Sequence, residues 1–97
     1  MRGVMPKQKP FRSKRYIEWI KQQACVKCGA PADDPHHIKG VGHMSGVGRT
    51  APDSMAMPVC RLCHDEIHRT PELWERQWEW VARTLDKALA DGVLVPA

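Results

Sequence analysis

No stretch of the 97 residues approaches the run of about 18 apolar residues that a membrane-spanning helix needs. The N-terminus also lacks the apolar segment of a secretory signal, so the expectation is a cytosolic chain whose thiols stay reduced. There is one Phe and one Tyr, no internal repeat and no sign of a second domain. Gly40–Gly48 carries four glycines in nine residues, but no Gly-Lys-Ser/Thr follows, which excludes a phosphate-binding P-loop. No βαβ pattern surrounds the cysteines, which argues against a thioredoxin-like dithiol. A chain this short buries a thin core and gains much from a structural metal.

What is present is concentrated in a few positions. Four cysteines form two Cys-x-x-Cys pairs, Cys25/Cys28 and Cys60/Cys63, separated by 31 residues. Four thiolates saturate one tetrahedral zinc, so these residues are expected to hold a structural Zn²⁺. The sulfurs can meet only if the intervening chain closes a hairpin. The segment 36–59, read as strand, glycine loop and strand, has that form. Histidines are then in surplus. His64 and His68 stand i, i+4 on a helix expected from Cys63 to about Arg69, which makes them a chelating pair on one face. His36 and His37 are neighbours on an expected strand, so their side chains leave on opposite sides. One can ligate a second, exchangeable ion while the other faces elsewhere, as a general base would.

Around this centre the pattern predicts an α+β domain. Residues 1–12 read as a flexible basic arm and 13–97 as the folded unit. Ser13 caps a short helix to about Gln23, and Gly29 supplies the knuckle turn. Pro31–Pro35 reads as a loop, His36–Ile38 and Met55–Val59 as strands. Thr70-Pro71 starts a final helix over about 71–91, with Gly92 as its stop. Trp74, Trp78, Val81, Leu85 and Ala88 form its expected core stripe, and Trp80 falls off it. Charge is uneven: residues 1–21 hold seven Lys/Arg against one acid, while the rest holds eight basic and ten acidic residues. Lys7, Lys9, Arg12, Lys14 and Arg15 are therefore candidates for contact with a phosphate polymer, as are Lys39 and Arg49 beside the glycine loop. Arg49 could equally be solvated. His43, inside that loop, gets no catalytic role.

The order Cys-x-x-Cys, Asp-Pro-His-His-Ile, then Pro-Val-Cys-Arg-Leu-Cys-His-Asp-Glu-Ile-His resembles the HNH endonucleases, which share the ββα-metal finger. More narrowly it is similar to small phage and prophage HNH proteins of the Ref type. The likeness covers roughly residues 25–69. It implies a zinc-stapled ββα-metal finger between N- and C-terminal helices. The implied activity is hydrolysis of DNA phosphodiester bonds, with DNA as partner and a recombination protein as a candidate second partner. It also implies His37 as general base, and His36, His64 and His68 as ligands of a divalent ion, Mg²⁺ or a transition metal. The family's middle residue is an asparagine that orients the base, and this chain has no asparagine. Asp53 is the nearest substitute, expected to accept from His37 Nδ1–H; a turn-capping role after Pro52 is the equal alternative. Two rival readings stay open: a zinc-ribbon nucleic-acid binder without activity, and a nuclease acting on RNA.

Overall fold

A computed structural model of the chain describes residues 10–38 and 51–95. Lys7, Lys9, Lys39, His43 and Arg49, with the glycine-rich segment, lie outside the described residues. The elements run α1 (Lys14–Lys21), β1 (Asp34–His37), β2 (Ala56–Val59), α2 (Arg61–Arg69) and α3 (Gln77–Ala90), with 3-10 turns at Asp53–Met55 and Pro71–Arg76. The described residues form a small α+β unit with a two-stranded sheet and three α-helices. Among the described residues no helix is long and apolar enough to cross a membrane.

Local chemistry explains most boundaries. Ser13 Oγ accepts from the Tyr16 N–H and starts α1. Gly29, at φ +84°, closes the first knuckle, and Gly92, at φ +74°, ends α3 in the left-handed conformation that glycine adopts freely. The strands are antiparallel, with Asp34 opposite Val59, Pro35 opposite Pro58, His36 opposite Met57 and His37 opposite Ala56. The Ile38 N–H bonds the Met55 carbonyl, and hydrogen-bonded pairs alternate along such a ladder. The two prolines thus face each other at a pair that exchanges no N–H, and their missing donors cost nothing. Strand β1 begins two residues earlier than expected, inside the supposed 31–35 loop, for this reason.

β2 is buried along its whole length. On one side Met57 and Val59 join Cys25, Cys63, Ile67, Trp80 and Val81; on the other Ala56 joins Tyr16, Ile20 and Ala88. A strand covered on both faces reads as a continuous apolar run, as Ala-Met-Pro-Val does.

The final helix departs from its sequence reading. Pro71–Arg76 is 3-10, Thr70 makes no side-chain cap, and the α-helix starts only at Gln77. A 3-10 segment advances three residues per turn, so a stripe counted through it at 3.6 loses phase. The buried face is Gln77, Trp80, Val81, Thr84 and Ala88. Trp80, expected off the stripe, is 1% exposed, and Trp78, expected in the core, is 43% exposed.

Candidate metal centres

Two clusters of metal-ligating side chains flank one short helix. Cys25 and Cys28 come from the first knuckle, which the Val26 N–H ties to the Pro58 carbonyl of β2. Cys60 precedes α2 and Cys63 lies in its first turn. The four sulfurs lie within 4.8 Å of one another, and none is in a disulfide. Tetrahedral zinc with bonds of about 2.3 Å sets its sulfurs about 3.8 Å apart; Cys28 and Cys60 Sγ stand at 3.6 Å. Burial opposes ionisation of Cys25, but N–H donors of Cys28, Cys60 and Lys27 outweigh it and bring the thiol down to about 6. Burial and then the neighbouring thiols of Cys60, Cys28 and Cys25 push Cys63 up. A metal at the centre would replace these thiol contacts and favour the thiolate form of all four. The residues fit a structural zinc. Lys27 adds a 2.8 Å ion pair to Glu66 that holds the knuckle on α2.

The second cluster lies one turn along the same helix. Ligand atoms of His36, His64 and His68 lie within 4.8 Å of one another. Ring centroids are 5.0 Å apart for His36–His64, 5.3 Å for His36–His68 and 4.7 Å for His64–His68. The i, i+4 spacing on α2 supplies two imidazoles and β1 the third. His64 Nδ1–H donates to Asp34 Oδ2 at 3.3 Å, which leaves Nε2 as the nitrogen with a lone pair. Asp34 is itself held by Arg61 at 2.9 Å, and that pairing, with His64, lowers its pKa. His36 is 1% exposed, and burial pushes its pKa down to about 4, so at neutral pH the ring is uncharged, as a ligand must be. Three imidazoles brought together by α2 and β1 fit a divalent ion.

His37 leaves β1 on the other side, as strand alternation requires. Its Nε2–H donates to Asp53 Oδ1 at 2.9 Å. The nitrogen is the reverse of the one expected, because Asp53 sits in the 3-10 turn before β2 and meets the far end of the ring. Nδ1 therefore keeps the lone pair of the neutral ring. Asp53 also accepts from the Ser13 N–H at 2.8 Å and from Arg12 at 3.3 Å. Burial works against its ionisation, but these donors, led by His37, prevail and lower its pKa. Arg12, expected to hang in the basic arm, instead donates to the Ala51 carbonyl at 2.7 Å as well. Its chain neighbour Phe11 accepts from the Asp53 N–H and packs edge-on against Tyr16. Lys14 and Arg15 are exposed on α1.

The chain belongs to the DUF968 family. That family, described as "Protein of unknown function (DUF968)", matches residues 3–92. Among curated relatives, the chain is 42% identical over 94 residues to "Uncharacterized protein YdfU" of Escherichia coli (strain K12), covering 93% of this chain and 27% of that protein. It is also 34% identical over 88 residues to "Mitochondrial DNA mismatch repair protein mutS homolog" of Sarcophyton glaucum, covering 78% of this chain and 9% of that protein. The chain thus spans about a quarter of the first relative's length and under a tenth of the second's. No solved structure matches.

Two residues of this DUF968 site escaped the sequence reading. Asp34 was hidden in a supposed loop, although two residues before His36 places it on the same strand face. Gln77 bonds His36 Nε2 at 2.8 Å and is 0% exposed. Its signal was a polar residue three and four positions ahead of Trp80 and Val81, on what proves to be the buried face.

Proposed function

We propose that the chain is a metal-dependent endonuclease of the HNH type that hydrolyses DNA phosphodiester bonds. In this reading β1, β2 and α2 are its ββα-metal finger, and Cys25, Cys28, Cys60 and Cys63 hold its structural zinc. The observation that carries the reading is the convergence of His36, His64 and His68 on one point, with His37 next along the strand and bound to a carboxylate. A divalent ion held by the three imidazoles, Mg²⁺ or a transition metal, would polarise the scissile phosphate and stabilise the leaving oxygen. His37 Nδ1 takes a proton from the attacking water. Asp53 fixes the ring in the tautomer that leaves Nδ1 free and stabilises the imidazolium once it forms. Lys14 and Arg15, with Lys7, Lys9, Lys39 and Arg49 from outside the described residues, supply backbone phosphate contacts that weaken with salt. A role for DNA is in keeping with the name of the mutS homolog. A recombination protein as second partner and a bacterial or phage-infected cytoplasm belong to the same proposal.

The test is a plasmid-nicking assay of the full chain with Mg²⁺, Mn²⁺, Ni²⁺ or Zn²⁺, beside an RNA substrate, with His37→Ala as control. Nicking by the parent and a loss of about 10²-fold or more in His37→Ala is the expected result. Cutting of RNA alone would replace the substrate. Binding without cutting under every ion would leave a zinc-ribbon nucleic-acid binder.

A further inference from the structure

Gln77 is completely buried at the first position of α3, and each end of its amide has a partner. Its Nε2 donates to the Trp74 carbonyl at 2.9 Å. A carbonyl oxygen only accepts, so this bond fixes which end of the amide is which. Oε1 must then be the atom that faces His36, and it stands 2.8 Å from His36 Nε2. Oε1 is also acceptor-only, so His36 Nε2 carries the ring proton. The lone pair of the neutral imidazole is left on Nδ1. A leucine would fill the same space without the desolvation cost of a buried amide, so this polar residue is not explained by packing.

We infer that Gln77 is a positioning residue for the imidazole cluster: its side-chain carbonyl holds the His36 proton on Nε2 and commits His36 to ligate a divalent cation through Nδ1. The inference rests on the cluster being a cation site, as proposed above, and not on any cleavage activity. The helix that follows α2 thereby acts on the ligand set without touching the ion. The Trp74 carbonyl orients the amide, the amide orients the ring, and the ring offers one nitrogen. Trp74 Nε1–H in turn donates to the Ile67 carbonyl at 2.9 Å, one residue before His68. The chain of bonds therefore starts and ends on elements that carry ligands.

The experiment uses the full chain with its four-cysteine site loaded with zinc, labelled with ¹⁵N. Two-bond ¹H–¹⁵N spectra report which ring nitrogen of His36 is protonated, and calorimetry reports binding of added Zn²⁺ to the imidazoles. The parent is expected to show His36 protonated on Nε2, with the Nδ1 resonance moving when Zn²⁺ is added. Gln77→Leu should mix the tautomers and weaken Zn²⁺ binding about 10–100-fold. Gln77→Glu, with its carboxyl protonated so that the O–H donates to the Trp74 carbonyl, keeps an acceptor against Nε2–H and should retain parental affinity. Zinc content at the cysteines and circular dichroism certify that each variant is folded; should Gln77→Leu not fold, the parent spectrum and Gln77→Glu decide alone. A parent with the proton on Nδ1, a Zn²⁺-induced shift at Nε2, or equal loss of affinity in both folded variants overturns the inference. A protein that passes this test and cuts no nucleic acid would defeat the nuclease reading alone.

Discussion

Replacing Asp53 by Asn separates the two tasks of that carboxylate. The carboxylate offers only acceptors, and three donors meet it: His37 Nε2–H at 2.9 Å, the Ser13 N–H at 2.8 Å and Arg12 at 3.3 Å. An asparagine has one oxygen. The backbone N–H of Ser13 cannot change its chemistry, so the amide oxygen must turn to it and the amide NH₂ to His37. Two donors would then oppose each other unless the imidazole moves its proton to Nδ1. Arg12 and His37 share Oδ1, so folding loses both of those bonds, one of them to a half-exposed arginine at 3.3 Å, about 1–2 kcal/mol in all. That corresponds to roughly 4–16 °C in melting temperature for a domain of this size. In the proposed nuclease, cleavage would lose the lone pair of its base, and a wrong tautomer costs about 10⁴-fold where an orienting acid is replaced this way. Asp53→Ala should invert the balance: three bonds go, stability falls by about 2–3 kcal/mol, and the ring is merely unrestrained. The assays are thermal melting, nicking and the His37 ring ¹⁵N spectrum. If Asp53→Asn nicks DNA at the parental rate, or its His37 proton stays on Nε2, the assignment of Asp53 as the orienting group is refuted. The carboxyl's lowered pKa fixes the sign of a further effect: its stabilisation is present above the ordinary carboxylate value near 4 and is lost as pH falls through the lower folded value.

Four other outcomes are expected. His36, lowered to about 4 by burial, binds fewer protons folded than unfolded between about 4 and 6.5, so the stability of protein lacking an ion at the imidazoles should fall as pH drops through that window, by up to about 3 kcal/mol, in pH-dependent urea unfolding. Cys63→Ser should abolish the one zinc per chain held by the thiolates, counted by native mass spectrometry, and unfold the centre of the domain; a folded variant with its zinc retained contradicts this. Tyr16 is fully buried, its hydroxyl has no hydrogen-bond partner among the described residues, and burial pushes its pKa up to about 12, so Tyr16→Phe should leave the melting temperature unchanged or raise it. Trp80→Ala should cost about 3–5 kcal/mol, while Trp78→Ala should cost far less, and equal losses in chemical denaturation would contradict the helix phase described above.

Much of the site was legible because its chemistry is written at fixed short spacings. Cys25/Cys28 and Cys60/Cys63 needed only a hairpin to converge, and the antiparallel β1–β2 pair brings them together. His64 and His68 needed only a helix. The opposite directions of His36 and His37 followed from a strand period of two. What was hidden depends on partners distant in sequence. The phase of α3 was obscured because Pro71–Arg76 turns as a 3-10 segment, which no residue pattern there announced. Gln77 drew no reading from the sequence because its partner lies 41 positions away. The His37 nitrogen that meets Asp53 is set by where a three-residue turn places a carboxylate, a distance that sequence spacing does not encode. Arg12 looked like one more cation of a basic arm until the Ala51 carbonyl and Asp53 were found beside it.

The facing prolines of the sheet act as keepers of its alignment during folding. A two-stranded ladder this short has little to choose one pairing over the next. A slip of one residue would move at least one of Pro35 and Pro58 into a pair that requires an N–H, and so lose a bond there. The same slip would send His36 toward Asp53 and His37 toward the helix, exchanging their places. Proline opposite proline thus taxes the one misfolded sheet in which every residue of the site is present and each of the two histidines stands in the other's position.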